Sequence, residues 1–244
     1  MSISEFYDDT SPRTWQKVIG EDLHYHVGWG EGNIFYNAVK HLYQFIEPES
    51  TVLDCGCGWG GTGKVLQRDL NCDVTGVTIS QVQSDYISSN NLFPVILSDL
   101  HDYRPTKTYD VCLFIESFCH LTYPTKVLNN LSNYTDKMIL REYHLKANNY
   151  SKKYFDRWLM NIYSKNELVS IFNDYDYKLT YFEEHYDYAL EPTLDLWLHN
   201  LDKIDRIEKT KHIELLELSA RYLKKYKDQI LNDIGLSTFI FVKQ

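Results

Sequence analysis

The chain reads as a doubly wound α/β domain: a seven-stranded, mostly parallel sheet with helices on both faces. Two observations predict it. Short apolar runs ending in a polar residue alternate with helical segments through the first half of the 244 residues, which is the βαβ signature of a parallel sheet. A glycine-dense turn, Asp54-Cys-Gly-Cys-Gly-Trp-Gly-Gly61, links the first run to a helix, where open α/β sheets receive ligands. Residues 1–244 are read as one domain, with an N-terminal lid at 1–33 and a helical cap at 193–233 inserted before the last strand.

The elements follow in order. Ile34 to Ile46 is an amphipathic helix, with apolar or aromatic residues at 35, 38, 39, 42, 43 and 46. Thr51 to Asp54 is the first strand and Thr62 to Leu70 the helix behind the glycine turn. Asp73 to Thr78 is the second strand, followed by a helix over Ser80 to Ser89 with Ser80 as its N-cap. Phe93 to Ser98 and Tyr109 to Ile115 are strands three and four, Pro124 to Ser132 a helix, and Lys137 to Tyr143 strand five. Ser151 to Ile171 reads as two helices and Tyr177 to Tyr188 as strand six. The period of Leu194, Trp197, Leu198, Leu201 and Ile204 makes Thr193 to Asn232 helical. Ser237 to Val242 closes the sheet. The carboxyl ends of the strands carry Asp54, Thr78, Asp99 and Glu116, so the ligand edge is polar.

Composition narrows the function classes. Hydrophobic residues make up 43%, enough for a packed core, and the net charge of −9 argues against a nucleic-acid partner, since Lys and Arg drive phosphate-backbone binding. No run approaches the ~18 apolar residues of a membrane span, and Met1 to Thr10 is too polar and acidic for a signal peptide. The five cysteines, at 55, 57, 72, 112 and 119, suit free thiols in a reducing cytoplasm. No metal site is expected: Cys55 and Cys57 lack a second Cys or His pair, and His24-x-His26 lacks a third ligand.

The glycine turn admits three ligand readings. Gly56, Gly58 and Gly61 satisfy the dinucleotide pattern G-x-G-x-x-G, yet the second strand ends in Thr78 rather than the acid that holds a ribose. Gly58 to Lys64 mimics a P-loop, but Val65 follows where a Mg²⁺ site needs Ser or Thr. A turn that accepts an anion at a helix N-terminus, beside the Asp54 carboxylate, suits S-adenosylmethionine, whose methionyl end carries both an ammonium and a carboxylate. A purely structural glycine turn is the remaining alternative.

Four stretches carry a family resemblance over most of the chain. Asp54-Cys-Gly-Cys-Gly-Trp-Gly60 resembles the donor-binding motif of class I S-adenosylmethionine-dependent methyltransferases, which have a Rossmann-like fold. Thr75-Gly-Val-Thr-Ile-Ser-x-x-Gln83 is similar to the second-strand motif of a narrower group, which includes glycine/sarcosine, tocopherol and phosphoethanolamine methyltransferases and mycolic acid cyclopropane synthases. Gly20-Glu-Asp-Leu-His24 resembles the lid of the glycine and sarcosine enzymes, and Tyr188 to Leu201 the start of the cyclopropane synthase insertion. The resemblance implies S-adenosyl-L-methionine as cofactor, held by Asp54, Gly56, Gly58, Gly60, Thr78, Ile79, Gln83, Asp99, Leu100 and Glu116. Asp99 would face the adenine amino group, or else cap the turn that follows it. Cyclopropane synthases carry a Phe-Glu-His-like run after strand four; here it is Phe118-Cys119-His120, and the carboxylate is absent.

The expected function is methyl transfer to a small-molecule acceptor, foremost N-methylation of an amine or amino-acid-like metabolite. Methylation at O or C of a natural product, cyclopropane-synthase-like chemistry on lipid, and a non-catalytic donor-binding module remain the alternatives. His120 is the candidate base, since imidazole titrates near neutral pH; the alternative is a hydrogen-bonded His that shapes its loop. Glu116, His26 and Tyr25 are expected around the acceptor. Phe6, Tyr7 and Trp15 are read as part of the lid wall. Tyr150, Tyr154, Trp158, Tyr163, Tyr181, Tyr186 and Tyr188 are read as core and half-buried surface, with an aromatic cage for a methylammonium as the alternative.

Overall fold

The computed structural model describes residues 3–9, 11–146, 155 and 159–244. Its centre is a sheet in the order β3-β2-β1-β4-β5-β8-β7. These strands are β1 (Thr51–Cys55), β2 (Asp73–Thr78), β3 (Val95–Leu97), β4 (Val111–Ile115), β5 (Lys137–Leu145), β7 (Tyr177–Glu184) and β8 (Ile234–Lys243). β1 to β5 pair in parallel, and β8 runs antiparallel between β5 and β7. All seven expected strands form. An eighth, β6 (Tyr163–Ser164), pairs with the end of β5; two residues are too short to leave a period in the sequence.

The helices are α1 (Ile3–Asp8), α2 (Pro12–Ile19), α3 (Ile34–Lys40), α4 (Gly61–Leu70), α5 (Gln81–Ser89), α6 (Pro124–Leu131), α7 (Lys165–Asn173), α8 (Tyr186–Leu201), α9 (Lys211–Lys225) and α10 (Lys227–Asp233). Side-chain oxygens cap several of them. Ser80 Oγ accepts from the Gln83 amide at α5, and Ser164 and Glu167 form a reciprocal capping box at α7, satisfying amides left over in the first turn.

Three sequence expectations are corrected. The helix expected over Ile34 to Ile46 is α3 followed by a 3₁₀ turn over His41–Phe45. Of the two helices expected in Ser151 to Ile171, the second is α7, which starts at Lys165; the first falls almost wholly outside the described residues. Strand six stops at Glu184, and α8 begins at Tyr186 rather than Thr193. The reason is local: Tyr-rich segments favour strands, and Pro192 reads as the first turn of a helix, whereas it sits inside α8.

The core has three parts. Phe114, Leu140, Phe172, Phe239 and Phe241 pack on one side of the sheet. Val39, Leu66, Val74, Leu113 and Ile139 pack on the other. The third part joins the N-terminal segment to the helices between β7 and β8, through Trp15, Leu23, Val27, Trp59, Leu194, Trp197, Ile213 and Leu216. This third core stands at the ligand edge and builds the roof of the site. Phe172 of α7 is fully buried and stacks on Phe241 of β8 with ring centroids 3.9 Å apart. Phe172→Ala is expected to lower unfolding free energy by ~3–5 kcal/mol, read as a reduced urea midpoint.

Candidate active site

The sheet order reverses between β1 and β4, and the glycine turn leaves β1 at that switch point, where a crevice opens beyond the strand ends. The Gly56 and Cys57 amides both donate to the Val77 carbonyl, at 2.9 and 3.0 Å, folding the turn back onto β2. Ser117 Oγ donates to the Cys55 carbonyl at 2.6 Å and ties the tip of β4 to the same turn. Two glycines matter here. A Cβ at Gly56 would fall 2.6 Å from Ser117 Cβ, at a φ of +83°. A Cβ at Gly58, φ +54°, would meet nothing within 4 Å, and Gly58 lines the cavity.

A cavity of about 340 Å³ occupies the crevice. Asp54, Gly56, Gly58, Thr78, Ile79, Gln83, Asp99, Leu100, Glu116 and His120 lie on its wall, as do Tyr25 and His26. Gly60 does not: it is the left-handed N-cap of α4, and a Cβ there would face Phe93, Ile87 and Leu92. Thr78 Oγ1 donates to Gln83 Oε1 at 2.8 Å, so these two residues brace each other. Asp99 Oδ1 accepts from the His101 amide and from His101 Nδ1, at 2.8 and 2.6 Å, so Asp99 holds its turn while lying on the wall.

Asp54 is buried, and its Oδ2 has no hydrogen-bond partner among the described residues. Burial pushes its carboxyl up to about 7. A buried acceptor without a donor calls for a ligand that brings one. Together with the open space beside Gly58, this fits a ligand carrying an ammonium.

Glu116 lies at the tip of β4 with φ +50°. Its Oε1 accepts from Arg141 Nη1 at 2.6 Å and from the Val27 amide at 2.8 Å, and its Oε2 accepts from the Tyr143 hydroxyl at 3.0 Å. Arg141 Nη2 donates to the Gly28 carbonyl at 2.9 Å. Burial pushes the Glu116 carboxyl up, while Arg141, Val27 and Tyr143 pull it back. Glu116 thus lies on the wall of both cavities and, through these bonds, also binds the N-terminal segment to the sheet.

His26 also lines both cavities. Its Nδ1 donates to the Val27 carbonyl at 2.9 Å and its Nε2 meets His24 Nδ1 at 3.3 Å, so both ring nitrogens are committed. The Tyr25 hydroxyl meets His212 Nε2 of α9 at 3.3 Å, and its ring lies 4.7 Å from that of Trp15. His120 sits in a 3₁₀ turn after β4. Its Nδ1 faces the Leu159 carbonyl at 3.3 Å and its Nε2 faces the Tyr7 hydroxyl at 3.1 Å. A carbonyl only accepts, so Nδ1 carries the hydrogen and Nε2 accepts a hydrogen bond from the Tyr7 hydroxyl. Burial lowers the His120 pKa, an effect the Leu159 bond partly offsets.

A second cavity of about 110 Å³ shares Tyr7, Tyr25, His26, Glu116 and His120 with the first. Its remaining wall is Tyr143, Phe155, Met160, Trp197, Leu216, Ser219 and Leu223. Sequence reading missed Arg141 and Glu142, although two adjacent charges in an apolar strand were a signal. Glu142 is buried, accepts from the Cys119 and Tyr143 amides, and is pushed up to about 7 by burial. Tyr150, Tyr154, Trp158 and the Phe6 and Tyr186 side chains lie outside the described residues. All five cysteines are free and buried. Among the described residues no group of three or more His, Cys, Asp or Glu is placed to hold a metal ion, and no helix is long and apolar enough to cross a membrane.

Comparison with known proteins agrees with this geometry. Residues 52–137 match the family model described as a methyltransferase domain. The chain is 28% identical over 167 residues to (S)-tetrahydroprotoberberine N-methyltransferase of Eschscholzia californica, an alignment covering 64% of this chain and 46% of that protein. The chain thus spans less than half the length of that curated relative. The cyclopropane synthase MmaA2 from Mycobacterium tuberculosis superposes with a TM-score of 0.84 over 99% of both chains at 14% identity. Coclaurine N-methyltransferase, solved with N-methylheliamine and S-adenosylhomocysteine, superposes with a TM-score of 0.77 over 98% of this chain and 85% of that one, at 19% identity. These superpositions share the fold of the sheet and its helices. Residues 52–137 are therefore similar to a methyltransferase domain, and the chain as a whole shares the fold of these methyltransferase structures.

Proposed function

We propose that the larger cavity holds S-adenosylmethionine and that the chain transfers its methyl group to a small-molecule amine seated in the second cavity. The observation that carries this reading is the Tyr7–His120 hydrogen bond at the junction of the two cavities. Asp54, Gly56, Gly58, Thr78, Gln83 and Asp99 would hold the donor. The bound donor supplies a sulfonium methyl open to in-line attack.

An attacking amine must shed a proton. The Tyr7 oxygen can take it while the Tyr7 hydrogen moves to His120 Nε2, leaving a tyrosine hydroxyl and an imidazolium. The Leu159 carbonyl keeps Nδ1 protonated throughout, so the ring is oriented before the amine arrives. Burial, together with the nearby Tyr25, raises the Tyr7 pKa well above its ordinary value, so both members of the pair rest neutral. The aromatic faces of Tyr25, Tyr143 and Trp197 suit a developing ammonium.

The chamber favours an apolar amine over an amino acid. The Arg141 guanidinium behind Glu116 is committed to Glu116 and Gly28, and the wall is largely aromatic and aliphatic. The N-methyltransferases among the relatives, of Eschscholzia californica and Papaver somniferum, support transfer to nitrogen. The N-terminal segment and α8 to α10 would act as lid and cap over both cavities.

Incubating the protein with metabolite extracts and isotopically methyl-labelled donor is expected to yield labelled small-molecule amines, identified by mass spectrometry. Absence of label in small molecules would overturn the reading. With the acceptor in hand, Tyr7→Phe and His120→Ala are each expected to lower kcat by ~10²–10⁴ with donor affinity retained. A loss of only a few-fold would leave positioning alone to explain the rate.

Donor binding should also depend on pH. A ligand ammonium favours the Asp54 carboxylate, whose carboxyl is otherwise held up to about 7. Binding therefore displaces the Asp54 proton, and affinity for S-adenosylhomocysteine is expected to rise with pH toward about 7 by up to about tenfold per unit, then level off. Calorimetry in buffers of different ionisation heat measures the proton released. Asp54→Asn should flatten the profile.

A further inference from the structure

His24 belongs to no role described so far, yet it lies on the wall of the larger cavity and is 3% exposed. Its Nε2 is buried and has no hydrogen-bond partner among the described residues. Its place is the glycine-turn end of the crevice: a Cβ at Gly61, the first residue of α4, would fall 2.8 Å from His24 Nδ1.

The hydrogen-bond chain behind it fixes which proton it carries. The Val27 carbonyl accepts only, so His26 Nδ1, 2.9 Å away, is protonated. A neutral His26 then presents Nε2 as an acceptor, and His24 Nδ1 at 3.3 Å must donate to it. With its hydrogen on Nδ1, a neutral His24 has a bare lone pair at Nε2. That atom can accept a hydrogen bond and cannot give one. Burial keeps His24 neutral, lowering its pKa to about 4, with Asp22 opposing and Lys64 assisting; Lys64 and Asp22 are themselves paired at 2.7 Å.

We propose that His24 is a donor-binding residue whose Nε2 accepts a hydrogen bond from the α-ammonium of the methyl donor, with His26 and Val27 as the relay that holds it in the accepting tautomer. The inference rests on the larger cavity being the S-adenosylmethionine site. It also selects between the two charged groups at the methionyl end. A carboxylate offers no hydrogen to Nε2 and is repelled by its lone pair; an ammonium offers three. Asp54 Oδ2 is another acceptor on the same wall without a partner among the described residues.

The test pairs a ligand change with a protein change. S-adenosylhomocysteine and its deaminated analogue, with hydrogen in place of the α-ammonium, are titrated by calorimetry into the unaltered protein and into His24→Phe. The expected result is a loss of about 10–100-fold for S-adenosylhomocysteine in His24→Phe, with the analogue binding both proteins alike. Equal losses for both ligands, or no loss for either, would overturn the proposal. A measurement without mutation covers a variant that misfolds. In ¹⁵N spectra of histidine-labelled protein, the His24 Nε2 signal is expected to shift from the bare-acceptor position on adding S-adenosylhomocysteine and to stay put with the analogue. A signal unmoved by both ligands overturns the role of His24 alone. Failure of S-adenosylhomocysteine to bind the unaltered protein overturns the cavity assignment with it.

Discussion

The ligand edge depends on one buried ion pair, Glu116 with Arg141. Their side chains are 9% and 1% exposed. Burying two charges costs several kcal/mol each unless their remaining polar atoms are also satisfied. Glu116 meets that demand with the Val27 amide and the Tyr143 hydroxyl, and Arg141 meets it in part with the Gly28 carbonyl, its Nε having no partner among the described residues. The bonds that make the pair tolerable are therefore the bonds that latch the N-terminal segment onto β4 and β5. The Gly28 amide donates in turn to Thr193 Oγ1 of α8 at 2.8 Å, so the latch extends to the helices before β8. The left-handed backbone at Glu116 is strain of about 1–3 kcal/mol, and the carboxylate's three hydrogen bonds hold it in place.

The same economy appears among the histidines. Burial pushes His24, His26 and His120 toward the neutral form. A neutral imidazole has one hydrogen, and in each case a neighbouring acceptor decides where it sits: Val27 for His26, His26 for His24, Leu159 for His120. Fixed tautomers make fixed donors and acceptors. The imidazoles are thereby preorganised, with no ring rotation or tautomer change needed when a ligand enters, and preorganisation of this kind is where binding and catalytic free energy are gained.

The sheet was legible because period and punctuation agree along its first half, with each apolar run stopping at Asp54, Thr78, Asp99 or Glu116. Strand tips were therefore good guides to which residues line the crevice. Gly60 was misread because one motif supplies glycines for two tasks: Gly56 and Gly58 face the cavity, whereas Gly60 starts α4 against Phe93. The hydrogen-bond partners of Glu116 and His26 were illegible for a different reason. Each was assigned by residue type, but its partner is set by the fold. Arg141 lies 25 residues from Glu116 in the chain, and no local pattern announces that pairing. The boundary at Tyr186 was lost because propensity and Pro192 pointed the same wrong way, and packing of α8 on α2 and α9 overrode both.

The split between the two cavities explains why the donor is easier to name than the acceptor. The family match covers residues 52–137, and Asp54, Gly56, Gly58, Thr78, Gln83 and Asp99 all fall inside it. The chamber beside them is walled by Tyr7, Tyr25, Tyr143, Trp197, Leu216 and Leu223, all outside it. Only Glu116 and His120 belong to both. A fold that fixes the donor with strand tips and a turn can thus change its acceptor by altering segments that touch the sheet only through the latch. Structures 14–19% identical in sequence superpose over nearly the whole chain, yet one is a cyclopropane synthase and the other an N-methyltransferase. Shape of the sheet therefore cannot decide the acceptor. The side chains that the latch and the third core hold around the second cavity are left to decide it, and here they are the Tyr7–His120 pair set in an aromatic wall.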